Sequence, residues 1–94
     1  MAKVSPSTHV LVELVSELPG GFRDLQKIYS TVTEHGGEIW EEYNHRDPDA
    51  QGRWRNTSMR ALVWVPRGSY RAFATSLGML QKKGKLALTA TTYL

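Results

Sequence analysis

The side chains that could carry chemistry in this sequence are few and scattered. Its three histidines, His9, His35 and His45, fall in different segments, and no two share the three-residue gap through which a helix offers paired imidazoles to zinc. No metal site is expected. Cysteine is absent, which removes thiol nucleophiles, disulfides and thiolate ligands. His45-Arg46-Asp47 sets a base beside an acid, but in a charged, polar stretch an imidazole is solvated rather than poised for proton transfer. In an alternating strand Glu38 and Glu42 share a face while Glu41 takes the other, an arrangement that does not give the opposed carboxylates of glycoside chemistry. No catalytic residue and no cofactor are expected.

The densest basic and aromatic cluster is Arg53-Trp54-Arg55-Asn56, with Arg60 a few residues on. These residue types neutralise phosphate and stack on bases. Against that use, the following run Arg60-Ala61-Leu62-Val63-Trp64-Val65 lacks the glycine and paired aromatics of the RNA-recognition signature, and Glu38 and Glu42 would repel phosphate. A nucleic-acid module therefore ranks third among the readings. Leu18-Pro19-Gly20-Gly21 is glycine-rich but lacks the lysine and hydroxyl residue of a phosphate loop, so it reads as a turn.

Composition bounds the remaining classes. The chain has 94 residues, enough for one domain and one core. Hydrophobic residues make up 40% and charged residues 22%, which argues for a folded domain over a disordered one. Twelve basic residues against nine acidic ones leave a net charge of +3, a mild excess that permits an acidic partner without indicating one. No run approaches the roughly 18 apolar residues of a membrane helix, and no signal-peptide core precedes Glu13. Membrane attachment would therefore come only through segments outside this chain, which would make it an excised extracytoplasmic piece; otherwise it is cytoplasmic.

Hydrophobic periodicity orders the elements. Residues 8–15 alternate with apolar side chains on both faces, as in a central strand. After the Pro19-Gly20 turn, Phe22, Leu25, Ile28, Tyr29 and Val32 recur at helical spacing, predicting a helix over 22–34 that Gly36-Gly37 stops. Residues 38–44 form a second strand, with Ile39, Glu41 and Tyr43 on one face and Glu38, Trp40 and Glu42 on the other. Acidic side chains on both faces mark it as an edge. A long mobile loop is expected over 45–57, a third strand over 59–65 closed by Pro66, a second helix over 70–82 capped by Ser69, and a fourth strand over 85–93.

The order strand, helix, strand, strand, helix, strand predicts an α+β, ferredoxin-like βαββαβ fold: a four-stranded antiparallel sheet with both helices on one face. Alternation then sends Val10, Val12, Leu14, Ile39, Ala61, Val63, Val65, Leu86 and Leu88 toward the helices. Leu11, Val15, Trp40, Leu62, Trp64 and Tyr93 fall on the open side, an apolar patch larger than soluble monomers usually leave wet. Either a partner or a second copy covers it, or the loop carrying Trp54 folds back across it.

Two family resemblances add to this reading. Glu17-Leu18-Pro19-Gly20 before the first helix resembles the acidic-x-Pro-Gly turn of ACT domains, ferredoxin-like modules that bind amino acids near this turn. That resemblance implies a ligand site at Pro19, Gly20, Gly21 and Phe22. A second covers more of the chain. Gly36-Gly37-Glu38-Ile39, a polar loop, Ala61-Leu62-Val63-Trp64-Val65-Pro66, then Tyr70, Phe73, Leu77-Gly78 and Gly84-Lys85 are similar to the extracytoplasmic domain of unknown function 4349. It implies a module carried on bacterial lipoproteins and membrane proteins, related to sensor domains of anti-sigma factors. This chain departs from that setting in showing no lipobox, membrane helix or zinc-binding anti-sigma segment, and the resemblance transfers no catalytic residue.

The expected function is thus a non-enzymatic interaction or sensing module that binds a protein partner, or its own copy, through Trp40, Leu62, Trp64, Leu11 and Tyr93. An ACT-like small-molecule sensor is the alternative, and nucleic-acid binding through Arg53, Trp54, Arg55 and Arg60 the third.

Overall fold

The computed structural model describes residues 7–84 and 88–93. Elements follow the order β1 (His9–Glu17), α1 (Phe22–Glu34), β2 (Glu38–Pro48), β3 (Trp54–Pro66), a short 3-10 turn (Arg67–Ser69), α2 (Tyr70–Gly84) and β4 (Thr89–Tyr93). The strands form one sheet in the order β2-β3-β1-β4 with every neighbouring pair antiparallel. This is the ferredoxin-like α+β arrangement, with β2 at an edge and β1 inside the sheet, as the sequence predicts.

One face of each central strand builds the core. Val10, Val12 and Leu14 of β1 stand opposite Val65, Val63 and Ala61 of β3, and all six are buried beneath the helices. Leu25, Ile28 and Val32 of α1 and Phe73 and Leu77 of α2 close the core from above, with Leu88 completing it ahead of β4. The predicted core position Leu86, and the start of the fourth strand expected at 85, lie outside the described residues.

The buried stripe of α1 is rotated from the expected one. Asp24, Leu25, Ile28, Thr31 and Val32 face inward, while Phe22 is 61% exposed and Tyr29 only half-buried. The cause lies at the helix start. Gly21, at φ +66°, serves as the N-cap, and the Asp24 carboxylate turns back to accept the Gly20 N–H at 2.5 Å. That contact satisfies an amide at the positive end of the helix, and the turn it fixes holds Asp24 inward and Phe22 outward. Ser69 does not start α2 as an isolated cap. It closes the 3-10 turn that runs directly into the helix.

The expected loop over 45–57 is instead mostly strand. Pairing continues from His45↔Ser58 through Arg46↔Asn56 and Asp47↔Arg55 to Pro48↔Trp54, leaving only residues 49–53 to turn the chain. Asp49 makes this tight turn possible. Its Oδ1 accepts from the N–H groups of Gln51 and Arg53, both at 2.9 Å, and Gly52 takes φ +78° while donating to the Asp49 carbonyl at 2.9 Å. An Asx-type turn with glycine in the left-handed position is a standard hairpin closure. The arm contributes to an elongated shape, 47 Å long against 25 and 20 Å across.

Two register shifts break the ladder between β2 and β3, one between Ile39 and Glu41 and one between His45 and Arg46. At the first, Trp40 is the extra residue of a bulge. Simple alternation fails there: Ile39 faces the helices, but Glu41 and Tyr43 pair with Leu62 and Arg60 and so share the open face with Glu38, while Glu42 returns to the helix side.

Candidate functional site

The helix-free face is a continuous surface whose register can be read across all four strands. Trp64 of β3 lies between Glu38 of β2 and Leu11 of β1, and Leu11 in turn lies opposite Tyr93 of β4. One step along, Glu41, Leu62, Glu13 and Thr91 form the next row. The third row is Tyr43, Arg60, Val15 and Thr89.

The bulge matters most at the first row. It carries Trp40 to within 5.8 Å of Trp64, ring centroid to ring centroid, at an interplanar angle of 43°, within the range where aromatic pairs attract. Trp40 remains 57% exposed, with Leu11, Leu62 and Trp64 half-buried around it. The expected patch is thus assembled by Trp40, Leu62, Trp64 and Leu11; Tyr93 is placed in it by backbone register. The arm with Trp54 extends the sheet rather than folding across this surface, since its strands remain paired to Pro48↔Trp54.

Charge on this face is unevenly distributed. Arg60 Nε donates to Glu13 Oε2 at 2.7 Å, and the guanidinium lies 5.8 Å from the Tyr43 ring centroid. The Tyr43 phenol donates to Glu41 Oε2 at 3.0 Å, and this bond raises its pKa above the ordinary tyrosine value. The β1–β3 interior is therefore locally neutralised, and the net negative charge sits on β2.

The cluster Arg53, Trp54, Arg55 and Arg60 is not assembled into one surface. Arg60 is engaged mid-strand with Glu13, and Arg55 reaches back to donate to the Pro19 carbonyl at 3.1 Å. Trp54 stands at the arm's end, 68% exposed. His45 lies beside Asp47, Nε2 to Oδ1 3.3 Å, with both side chains exposed. His35 stays at the end of α1, where Nδ1–H donates to the Thr31 carbonyl at 2.8 Å and the ring meets Phe73 edge-on. Among the described residues no group of three or more His, Asp or Glu could hold a metal, and no helix is long and apolar enough to cross a membrane.

The turn proposed for ligand binding is internally tied. Gly21 N–H donates to the Leu18 carbonyl at 2.9 Å, Pro19 accepts from Arg55, and Gly20 donates to Asp24. Phe22 lines a groove of about 810 Å³ between α1 and the helix-side face of β2. Sequence reasoning missed the polar wall of this groove, Glu42, Asn44, Arg46 and Asn56. Burial, then hydrogen bonding to Glu42, push the Tyr29 phenol well above the usual tyrosine range, and Arg46 Nε donates to the buried Asn56 Oδ1 at 3.1 Å. The signal available in the sequence was the alternation Glu42, Asn44, Arg46, visible only once 45–48 is recognised as strand.

No family model matches the chain, and no curated protein matches it. Among solved structures it is similar to an unknown protein from Galdieria sulphuraria, at a TM-score of 0.77 and 18% identity. The match covers 100% of this chain and 54% of that one, so the present sequence spans about half the length of its structural relative. A likeness at this identity establishes the fold.

Proposed function

We propose that this chain is a non-enzymatic interaction module whose working surface is the helix-free sheet face. One observation carries the reading: Trp40 and Trp64 are brought together by a bulge on a face that no element among the described residues covers. Bulges re-aim side chains at functional positions, and exposed aromatic clusters with half-buried aliphatic neighbours are the usual anchors of protein interfaces. The resemblance to extracytoplasmic modules of bacterial membrane proteins is consistent with such a role and suggests a sensor carried beside a membrane.

The test is oxidative footprinting of the tryptophans. In the dilute purified chain Trp40 should react nearly as fast as Trp54, given their similar exposure. In the cells that express the protein, Trp40 should be protected several-fold relative to Trp54. An unchanged Trp40-to-Trp54 ratio in the two settings would mean that nothing covers this face.

A second reading, a small-molecule sensor, is favoured by the groove beside Phe22, which lies next to the turn expected to bind ligand and carries a polar wall. Saturable stabilisation of the fold by a ligand, abolished by altering Asn44 or Arg46, distinguishes it from the first.

A further inference from the structure

The register of the sheet goes beyond naming a face, because it decides how that face can be covered. Resting on the reading of the face as an interaction surface, the geometry points to a second copy of this chain as its partner. The two sheets stack face to face about a two-fold axis that runs parallel to the strands, between β1 and β3.

For sheets packed with their strands in line, two in-plane axes give a symmetric face-to-face pair. An axis across the strands reverses strand direction, so it lays the Trp40, Trp64 and Leu11 end of one copy over the partner's Ser58 and Glu17 end. Apolar surface then meets polar surface, and each β2, with Glu38 and Glu41, lies over β2 of the other copy. An axis along the strands keeps each row at its own level. Leu11 then lies over Trp64 of the other copy, Trp40 over the Tyr93 position, and Glu13 over Leu62. The apolar patches coincide, and the Glu13 that is drawn in arrives already neutralised by Arg60 at 2.7 Å.

Charge selects the same axis. It sets β2, with its uncompensated Glu38 and Glu41, over β4 of the other copy, whose sequence Thr-Ala-Thr-Thr-Tyr carries no charge. The β2 carboxylates of the two copies do not meet. The size is also adequate. Four strands about 4.8 Å apart and nine residues of β1 at about 3.3 Å each give a projected face on the order of 500 Å². Side chains standing out from the sheet increase the accessible area toward the roughly 800 Å² per partner of a standard interface. Sheets packed this way lie about 30° apart from their own twist.

The experiment is sedimentation equilibrium of the 94-residue chain over a wide concentration range, with three variants whose far-UV circular dichroism is checked for a native fold. The expected wild-type mass rises to about twice 10.6 kDa, and Trp40→Glu returns it to one chain. Because Glu41, Leu62, Glu13 and Thr91 share a row, Thr91→Lys faces Glu41 of the other copy and should lower the dissociation constant several-fold at low salt, while Thr91→Glu raises it.

A chain that stays monomeric at every concentration overturns the proposal, as does a dimer indifferent to Trp40→Glu. A dimer that Thr91→Lys fails to tighten overturns the axis. Footprinting separates the two levels of the account. Trp40 protected in cells while the purified chain stays monomeric refutes the second copy and leaves the interaction face standing, whereas no protection refutes both.

Discussion

The connection that delivers Trp40 to Trp64 runs through Gly37, and replacing it should cost more than replacing its neighbour. Gly37 N–H donates to the Val32 carbonyl at 2.8 Å, tying the end of α1 to the start of β2. A Cβ at this position would sit 2.8 Å from Val32 Cγ1, 2.9 Å from the Val32 carbonyl oxygen and 3.1 Å from the Trp64 carbonyl oxygen. Two of these are backbone atoms, which cannot rotate away, so the helix end, the bulged strand and β3 must separate. Overpacking of this kind costs about 1–3 kcal/mol, and three simultaneous contacts place Gly37→Ala at the upper end of that range.

Gly36 is the control. Its φ of +74° makes alanine unfavourable, but the nearest atom to an added Cβ is Pro66 Cγ at 3.6 Å, an ordinary contact. Gly36→Ala should cost about 1 kcal/mol from backbone conformation alone. Urea denaturation followed by circular dichroism gives both values, and a loss of about 2–3 kcal/mol in a chain of this size lowers the melting temperature by roughly 10–20 °C. The reasoning is refuted if Gly37→Ala loses less than Gly36→Ala.

Tyr29→Phe removes a phenol whose pKa is raised by burial and by its bond to Glu42. The folded state holds that proton more tightly than the unfolded chain, so the contribution is fully present below about pH 10 and is lost as pH rises through the folded value. The variant should therefore lose about 1 kcal/mol at pH 8 and a smaller amount at pH 11; equal losses at both pH values contradict this. A double-mutant cycle on Glu13→Ala and Arg60→Ala should give a coupling of about 0.5–1 kcal/mol that falls with added salt, because Arg60 is exposed while Glu13 is largely covered. Coupling within error of zero would show that the 2.7 Å contact does not persist in solution.

The fold was legible in the sequence wherever one face of an element is buried. Val10, Val12 and Leu14, and Ala61, Val63 and Val65, alternate because every second side chain meets the helices. Phe73 and Leu77 recur at helical spacing for the same reason. That logic fails over 45–57, where β2 and β3 leave the core and both faces are largely solvent-exposed. The backbone ladder and a few polar side-chain bonds, Arg46 to Asn56 at 3.1 Å and Thr57 to Asp47 at 2.7 Å, hold that arm together, and polar residues paired this way do not show the apolar alternation that marks a buried strand.

The candidate face was legible in its members more than in its assembly. Trp40, Trp64, Leu62 and Leu11 follow from alternation, but the bulge that moves Glu41 and Tyr43 onto the open face and Glu42 onto the groove side has no signature in residue type. Phe22 likewise fits the apolar spacing of α1, yet the bond from Gly20 to Asp24 rotates the helix and leaves Phe22 outside the core.

Oxidation rates of Trp40 and Trp54, compared between the dilute purified chain and the intact cell, test the central claim most directly. Similar rates in isolation and a several-fold slowing of Trp40 alone in the cell are the predicted result. Equal slowing of both tryptophans, or of neither, would contradict the assignment of the helix-free face as the working surface.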